Sequence, residues 1–240
     1  MKRTKVENTP EYRKFKIISD EDTVLLGYLS KHLLIGKSDE VLDIGGREGY
    51  ISLALQNPNH VTIVENDPDV RPPQAIYLNQ SIQDVQFDPE TFDIIIFAHV
   101  LGVLERQEVL EEVINRAYSW LKKEGTMVLF YNTNSGYMGE LLEFARKNLK
   151  KLKYDYFDEK ILSTFKNATI TEEKVVTPIT YNSFEELGRA CWYLFSACDD
   201  EDDSDDMNAV AALFIPKLKK DLSSPEIDIE QKIILVKKYM

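Results

Sequence analysis

The sequence predicts a doubly wound α/β domain built on a mostly parallel sheet of seven strands. Short apolar runs typical of strands alternate with helical patterns through the first half of the chain, as parallel sheets require. The run Val41–Ile44 leads directly into a glycine-rich turn and then a helical pattern. The run Phe92–Phe97 is apolar at nearly every position, which is typical of a strand buried on both faces.

The elements follow from these patterns in order. Ser19 is a suitable cap for a helix, and the acids after it suit a first turn. The predicted strands are 41–44, 61–64, 75–78, 92–97, 126–131, 168–176 and 232–239. The other predicted helices run through 51–55, through 109–121 with an end at Gly125, over much of 136–165, after the cap Ser183, and over 207–218. Three prolines between Val64 and Ala75 favour a loop or single turn there instead of a crossover helix.

Composition limits the classes of partner. The net charge is -12, and seven of the acids lie in the run 199–206, which we predict to be a solvated loop. An acidic surface repels phosphate backbones, so we expect no nucleic-acid partner. The two cysteines, the lack of a long apolar run and an N-terminus without an apolar signal region predict a cytoplasmic protein with no membrane partner. We expect a monomer or a homodimer.

The turn after the first strand carries the clearest chemical signal. Gly45, Gly46 and Gly49 allow a sharp turn and a close approach by a ligand, and the next helix points free N–H groups at the same space. Glu65 ends the second strand 22 residues after Asp43, where a doubly wound sheet places an acceptor for ribose hydroxyls. This order predicts a nucleoside cofactor. The alternative is a merely tight turn with Glu65 as a surface acid.

The sign of the charge favours one nucleoside. The order D-x-G-G-x-x-G differs from the G-x-G-x-x-G pattern of dinucleotide sites and places Asp43 before the turn. An anion there opposes a pyrophosphate and attracts the ammonium of a methionyl group. S-adenosylmethionine is therefore favoured over NAD.

These residues resemble the motifs of class I methyltransferases. Residues 41–49 are similar to that family's first motif, Glu65 to its ribose-binding acid, and 92–99 to its fourth-strand motif. The resemblance implies a Rossmann-like seven-stranded fold and S-adenosyl-L-methionine as cofactor. Arg47 stands where the family usually has a third glycine. The cofactor-binding residues implied are Asp43, Gly45, Gly46, Gly49, Glu65, Asn66, Ser81, Ile82 and Ala98. Ser81 and Ile82 occupy the adenine-side position after the third strand, or else form an ordinary strand end.

A further resemblance, to the histamine N-methyltransferase family, extends over most of the chain. Segment 15–21 is similar to its substrate-contacting N-terminal segment, and 134–141 to the segment that supplies tryptophans to its pocket. Tyr137 and Leu141 replace those tryptophans and His99 replaces a glutamine, so the resemblance implies a small amine or aromatic acceptor and does not imply histamine. The substrate-binding residues implied are Phe15, Glu21, His99, Tyr137 and Leu141. Tyr12 and Tyr181 are added as aromatic residues that could line a pocket for a flat or cationic acceptor, or else belong to plain core packing.

Two of these residues are candidate catalytic groups. His99 follows a buried strand at its carboxyl end, where it could accept a proton or hydrogen-bond a substrate, or else be a structural histidine bonded to a carbonyl. Glu21 could hold a substrate cation or only serve the helix dipole. Aromatic residues such as Phe184 and Trp192 have the helical spacing of core packing. No cysteine or histidine cluster has metal-ligand spacing.

The sequence therefore predicts a single methyltransferase domain over 1–240. Residues 1–38 are expected to form a helical lid and substrate segment, 39–132 the cofactor-binding half, and 133–240 the substrate-side half. The expected reaction is N- or O-methylation of a small molecule by in-line displacement. Two rivals remain open, a methyltransferase-like binding module without catalysis and an NAD(P)-dependent oxidoreductase.

Overall fold

A computed structural model describes residues 10–66, 74–101, 107–148, 157, 159–195, 206–224 and 226–239. The prolines 68, 72 and 73 of the predicted loop and residues 199–205 of the acidic run lie outside these ranges. The helices are α1 Pro10–Ile18, α2 Glu21–His32, α3 Tyr50–Leu55, α4 Gln107–Trp120, α5 Gly136–Asn148, α6 Phe184–Phe195 and α7 Asp206–Asp221. The strands are β1 Val41–Ile44, β2 Val61–Glu65, β3 Ile76–Asn79, β4 Phe92–Ala98, β5 Leu121–Asn132, β6 Ala168–Thr180 and β7 Glu226–Lys238.

The strands form one seven-stranded sheet in the order β3-β2-β1-β4-β5-β7-β6, which confirms the predicted fold class. β1 is paired in parallel with both β2 and β4, and β3 and β5 extend the parallel region on either side. Ile44 is in register with Val64 and Phe97, so the loops that leave these strands start from one edge of the sheet. In doubly wound folds this carboxyl edge is where ligands bind.

By contacts, the chain divides into two compact units. One comprises Asp22–Tyr131, Tyr156–Val175 and Gln231–Met240, and the other comprises Met1–Glu21, Asn132–Asp155 and Val176–Glu230. The first contains β1 to β4 and the glycine turn. In the second, α6 packs against α7 and α1.

Alternate residues of the central strands enter two separate apolar clusters. Leu42 and Ile95 pack in one cluster with the buried face of α4, while Val41 and Ile94 pack in the other with residues of α2 and α3. A period of two places successive side chains on opposite faces of a sheet. Helices therefore cover both faces, as a parallel sheet with near-continuous apolar strands requires.

Several boundaries differ from the sequence prediction. The helix predicted to end at Gly125 ends at Trp120, because the carbonyls of Ser119 and Trp120 accept hydrogen bonds from the loop before β4. β5 then begins at Leu121, five residues earlier than predicted, and Lys122 pairs with Asp93 at 2.7 Å. β7 also starts earlier, at Glu226, where alternate residues are buried.

Candidate functional site

The turn after β1 has the backbone geometry that its glycines permit. Gly45 and Gly49 have φ angles of +70° and +74°, in the left-handed region that side chains disfavour. The N–H of Gly45 donates to the carbonyl of Val64 at 2.8 Å, which fixes the turn to the end of β2. The N–H of Gly49 donates to the carbonyl of Gly46 at 2.7 Å and closes the turn.

Position 46 has no room for a side chain, which explains the glycine there. A Cβ at this position would lie 2.3 to 2.6 Å from the three carboxyl atoms of Asp43. At Gly45 a Cβ would lie 2.8 Å from the Val100 side chain. The turn therefore packs directly on the buried acid.

Asp43 is buried, with 2% of its surface exposed, and the hydroxyl of Ser52 donates to its Oδ2 at 2.6 Å. Burial raises the pKa of Asp43 from 3.8 to about 6; the Ser52 hydrogen bond opposes this rise and the nearby Glu65 adds to it. Sequence reasoning missed Ser52. Its only sequence signal is a small hydroxyl residue three positions after the last glycine of the turn.

This pKa predicts a specific pH dependence of stability. Because the folded state holds a proton on Asp43 more tightly than the unfolded state, the stabilisation is present near pH 4 and lost as the pH rises through about 6. We expect Asp43→Asn to gain stability relative to the native chain by roughly 2–2.5 kcal/mol as the pH rises from 4 to 7. Denaturant titrations of both proteins across this range measure the difference. An unchanged difference would contradict the buried state of Asp43.

Arg47 occupies the position where class I methyltransferases, whose first motif this turn resembles, usually have a glycine. Its φ is +48°, so the turn keeps the left-handed conformation with a side chain present. The Arg47 side chain is 11% exposed, and its Nε lies 3.5 Å from the carboxylate of Glu48. The substitution therefore adds backbone strain at this residue without changing the sense of the turn.

Glu65 and Asn66 follow at the end of β2. Glu65 is 1% exposed, and its backbone carbonyl accepts from the side chains of Tyr77 at 3.5 Å and Asn79 at 3.3 Å. The Oδ1 atom of Asn66 is buried and makes no hydrogen bond to the described part of the chain. A buried acceptor left without a donor is costly, so its presence beside Glu65 fits a site for a ligand with hydroxyl groups.

Ser81 and Ile82 lie in a turn after β3. The Ser81 carbonyl accepts from the N–H of Asp84 at 2.9 Å, and Ile82 is 7% exposed within the apolar cluster on the α4 face. Ala98 ends β4 and is partly buried. All nine predicted cofactor residues lie in the unit that contains β1 to β4.

His99 follows β4 in a strained conformation, with a φ of +56°. Its N–H donates to the carbonyl of Phe130 at 2.8 Å, and its ring contacts the Phe130 ring edge-on at 4.5 Å. The His99 Nε2 lies 3.5 Å from the side-chain amide nitrogen of Gln231, which is fully buried on β7. Strained residues held by surrounding structure cluster at functional sites. Gln231 carries no signal in the sequence, because it lies 132 positions away.

The other predicted acceptor-side residues fall in the second unit. Phe15, Glu21, Leu141 and Tyr181 are buried there, and the Tyr181 hydroxyl donates to the carbonyl of Ser224. Tyr137 is partly exposed, with the Lys217 ammonium 6.0 Å from its ring centre. The side chain of Tyr12 lies outside the described residues. Within the described ranges, no group of three histidine, cysteine or acidic residues could hold a metal ion, and no helix has the length and apolarity to cross a membrane.

Comparison with known proteins adds a family match. A family model described as a methyltransferase domain matches residues 21–172. No curated protein matches the chain.

Several solved structures share the fold. YcgJ from Bacillus subtilis superimposes with a TM-score of 0.60 at 14% identity, covering 90% of this chain and 98% of that one. A methyltransferase from Thermotoga maritima, described as S-adenosylmethionine-dependent and as a possible histamine N-methyltransferase, gives 0.55 at 14% identity and covers 95% of each chain. The [4+2]-cyclase SpnF gives 0.58 at 12% identity, covering 91% and 82%. At these identities the similarity concerns the fold alone.

Proposed function

We propose that this chain methylates a nitrogen or oxygen of a small amine or aromatic acceptor. It belongs to the methyltransferase-domain family and is a class I enzyme that uses S-adenosylmethionine. The observation that supports the site assignment is the packing of the glycine turn on buried Asp43, together with buried Glu65 at the end of β2 and the Oδ1 of Asn66, which has no hydrogen-bond donor among the described residues. When bound, S-adenosylmethionine supplies an electrophilic methyl group on a sulfonium.

The described residues suit such a ligand. The turn from Gly45 to Gly49 would let a ligand's methionyl part approach the backbone, and the negative charge of Asp43 at neutral pH would attract its ammonium. Glu65 and Asn66 offer acceptors to the ribose hydroxyls. Ser81, Ile82 and Ala98 are assigned to the adenine side by the resemblance to class I methyltransferases.

On the acceptor side we assign a role to His99. Its backbone is fixed by β5, and the Gln231 amide lies 3.5 Å from its Nε2. A ring held in this way orients the acceptor or takes a proton from its attacking atom. Glu21, Phe15, Tyr137 and Leu141 stay predictions from the resemblance to histamine N-methyltransferases, and Tyr12 and Tyr181 stay predicted members of an aromatic pocket.

A direct assay tests this function. Native protein is incubated with S-adenosylmethionine labelled in its methyl group and a library of primary and secondary amines and phenols. We expect label to appear in at least one small acceptor. Gly27→Ala is a matched active control, because a Cβ at this position of α2 meets no atom within 4 Å. Binding of the cofactor without transfer to any acceptor would favour the rival binding module. SpnF, a cyclase with this fold, illustrates that the fold supports other activities.

Replacement of His99 tests its role separately. Asn tolerates the left-handed φ of this position but lacks the ring, so His99→Asn removes the chemistry with little backbone cost. We expect kcat/KM for the acceptor to fall by about tenfold or more, with affinity for S-adenosylhomocysteine within about twofold of native. An unaltered kcat/KM would exclude His99 from the acceptor side.

A further inference from the structure

Arg116 on α4 links this helix to the turn that follows β3. Its Nη2 donates to the carbonyl of Ile82 at 2.5 Å, and its Nη1 donates to the carbonyl of Gln83 at 3.1 Å. A planar guanidinium can engage two neighbouring carbonyls at once, whereas the ammonium of lysine is a single point charge. The two planar donors therefore fix two successive peptide groups of the turn.

The guanidinium is itself held in place. Glu112, one helical turn earlier, lies 3.6 Å from Nη1, and the Trp120 ring lies 5.5 Å from the guanidinium carbon. Trp120 is fully buried and packs edge-on against Phe87. Because the Trp120 ring supports one side of the guanidinium, the Arg116 side chain loses little further conformational freedom when it donates to the turn.

The turn is consequently fixed through three successive carbonyls. That of Ser81 accepts from the N–H of Asp84, and those of Ile82 and Gln83 accept from Arg116. The Ser81 hydroxyl also accepts from the N–H of Gln83 at 3.3 Å. Removing Arg116 takes away these two hydrogen bonds from α4 to the turn, while Ile82 still packs in the apolar cluster on the α4 face, so the peptide groups of the turn are held less precisely.

We propose that Arg116 is a positioning residue that sets the shape of the adenine-side turn and thereby the purine selectivity of the cofactor site. This inference rests on the proposed function, because Ser81 and Ile82 are its assigned adenine-side residues. Arg116 acts through the turn, whose carbonyls at Ile82 and Gln83 its guanidinium binds. The geometry of a purine pocket depends on sub-ångström placement of its walls, so a released turn discriminates bases poorly.

Calorimetric titration with two ligands tests this role. S-adenosylhomocysteine and its inosine analogue, in which an oxygen replaces the purine amino group, are titrated into native protein, Arg116→Ala, Arg116→Lys and Glu112→Gln. We expect Arg116→Ala to bind S-adenosylhomocysteine about tenfold more weakly and the inosine analogue less affected, so that the ratio of the two affinities falls. Glu112→Gln keeps both carbonyl contacts and should bind as native protein does.

Arg116→Lys keeps the charge beside Trp120 and reports on the paired contact even if the alanine variant does not fold. If Arg116→Ala loses the same factor of affinity for both nucleosides, or if Arg116→Lys binds both with native affinity, then Arg116 has only a structural role and the proposed positioning role is overturned. Failure of the native protein to bind either nucleoside would overturn the proposed function, and the role of Arg116 with it.

Discussion

Gly46→Ala is expected to abolish cofactor binding. The new Cβ would lie 2.3 to 2.6 Å from the Asp43 carboxyl atoms, closer than real side-chain contacts allow. Asp43 is 2% exposed and cannot move aside without breaking its 2.6 Å hydrogen bond to Ser52. We expect affinity for S-adenosylhomocysteine to fall more than about 100-fold and the free energy of unfolding to fall by about 2–4 kcal/mol.

The matched control is Gly27→Ala. A Cβ there meets nothing within 4 Å, and the residue lies inside helix α2. Alanine favours a helix interior by up to about 1 kcal/mol over glycine, so stability should hold or rise with affinity unchanged. Calorimetry and denaturant unfolding measure both quantities. Native affinity in Gly46→Ala would mean that the turn can relax and does not form the cofactor surface.

The second large effect is expected at Glu65. Glu65→Gln keeps the shape of the side chain and removes the charge that strengthens hydrogen bonds from two ribose hydroxyls. We expect binding of S-adenosylhomocysteine to weaken about 100-fold, consistent with hydrogen bonds to charged groups worth about 1.5–3 kcal/mol each. Titration calorimetry at fixed pH measures the loss.

A thermodynamic cycle that combines Glu65→Gln with a modified ligand separates this contact from general disruption of β2, where Glu65 is buried. The second arm uses the 2′-deoxy analogue of S-adenosylhomocysteine. If Glu65 binds the ribose, the native protein should discriminate against the deoxy analogue while Glu65→Gln discriminates much less. Equal discrimination by both proteins would place the ribose elsewhere.

The parts of this structure that were predicted correctly depend on local pattern. The apolar stripe of α4 and the continuous apolar run of β4 specify buried elements by period alone. The strand, turn, helix and distal acid of the cofactor side are close in sequence, and parallel pairing of β1 with β2 brings Asp43 and Glu65 to one edge. The sequence pattern therefore predicted the turn, and its role in holding the cofactor stays a prediction.

Other features depend on contacts between distant residues. Arg116 binds carbonyls 33 and 34 positions before it, and Gln231 reaches His99 from the last strand. The early start of β5 follows from pairing of Leu121 with Phe92 and of Lys122 with Asp93. No periodicity of one segment encodes these choices, because each depends on where a second segment packs.

The central claim is that the turn from Asp43 to Gly49, with Glu65, forms the S-adenosylmethionine site. Titration of S-adenosylhomocysteine into the native protein, beside NAD at the same concentration, tests it most directly. The predicted result is saturable binding of S-adenosylhomocysteine with a Kd below about 100 µM and no heat from NAD. Tighter binding of NAD, or no binding of S-adenosylhomocysteine at millimolar concentration, would contradict it.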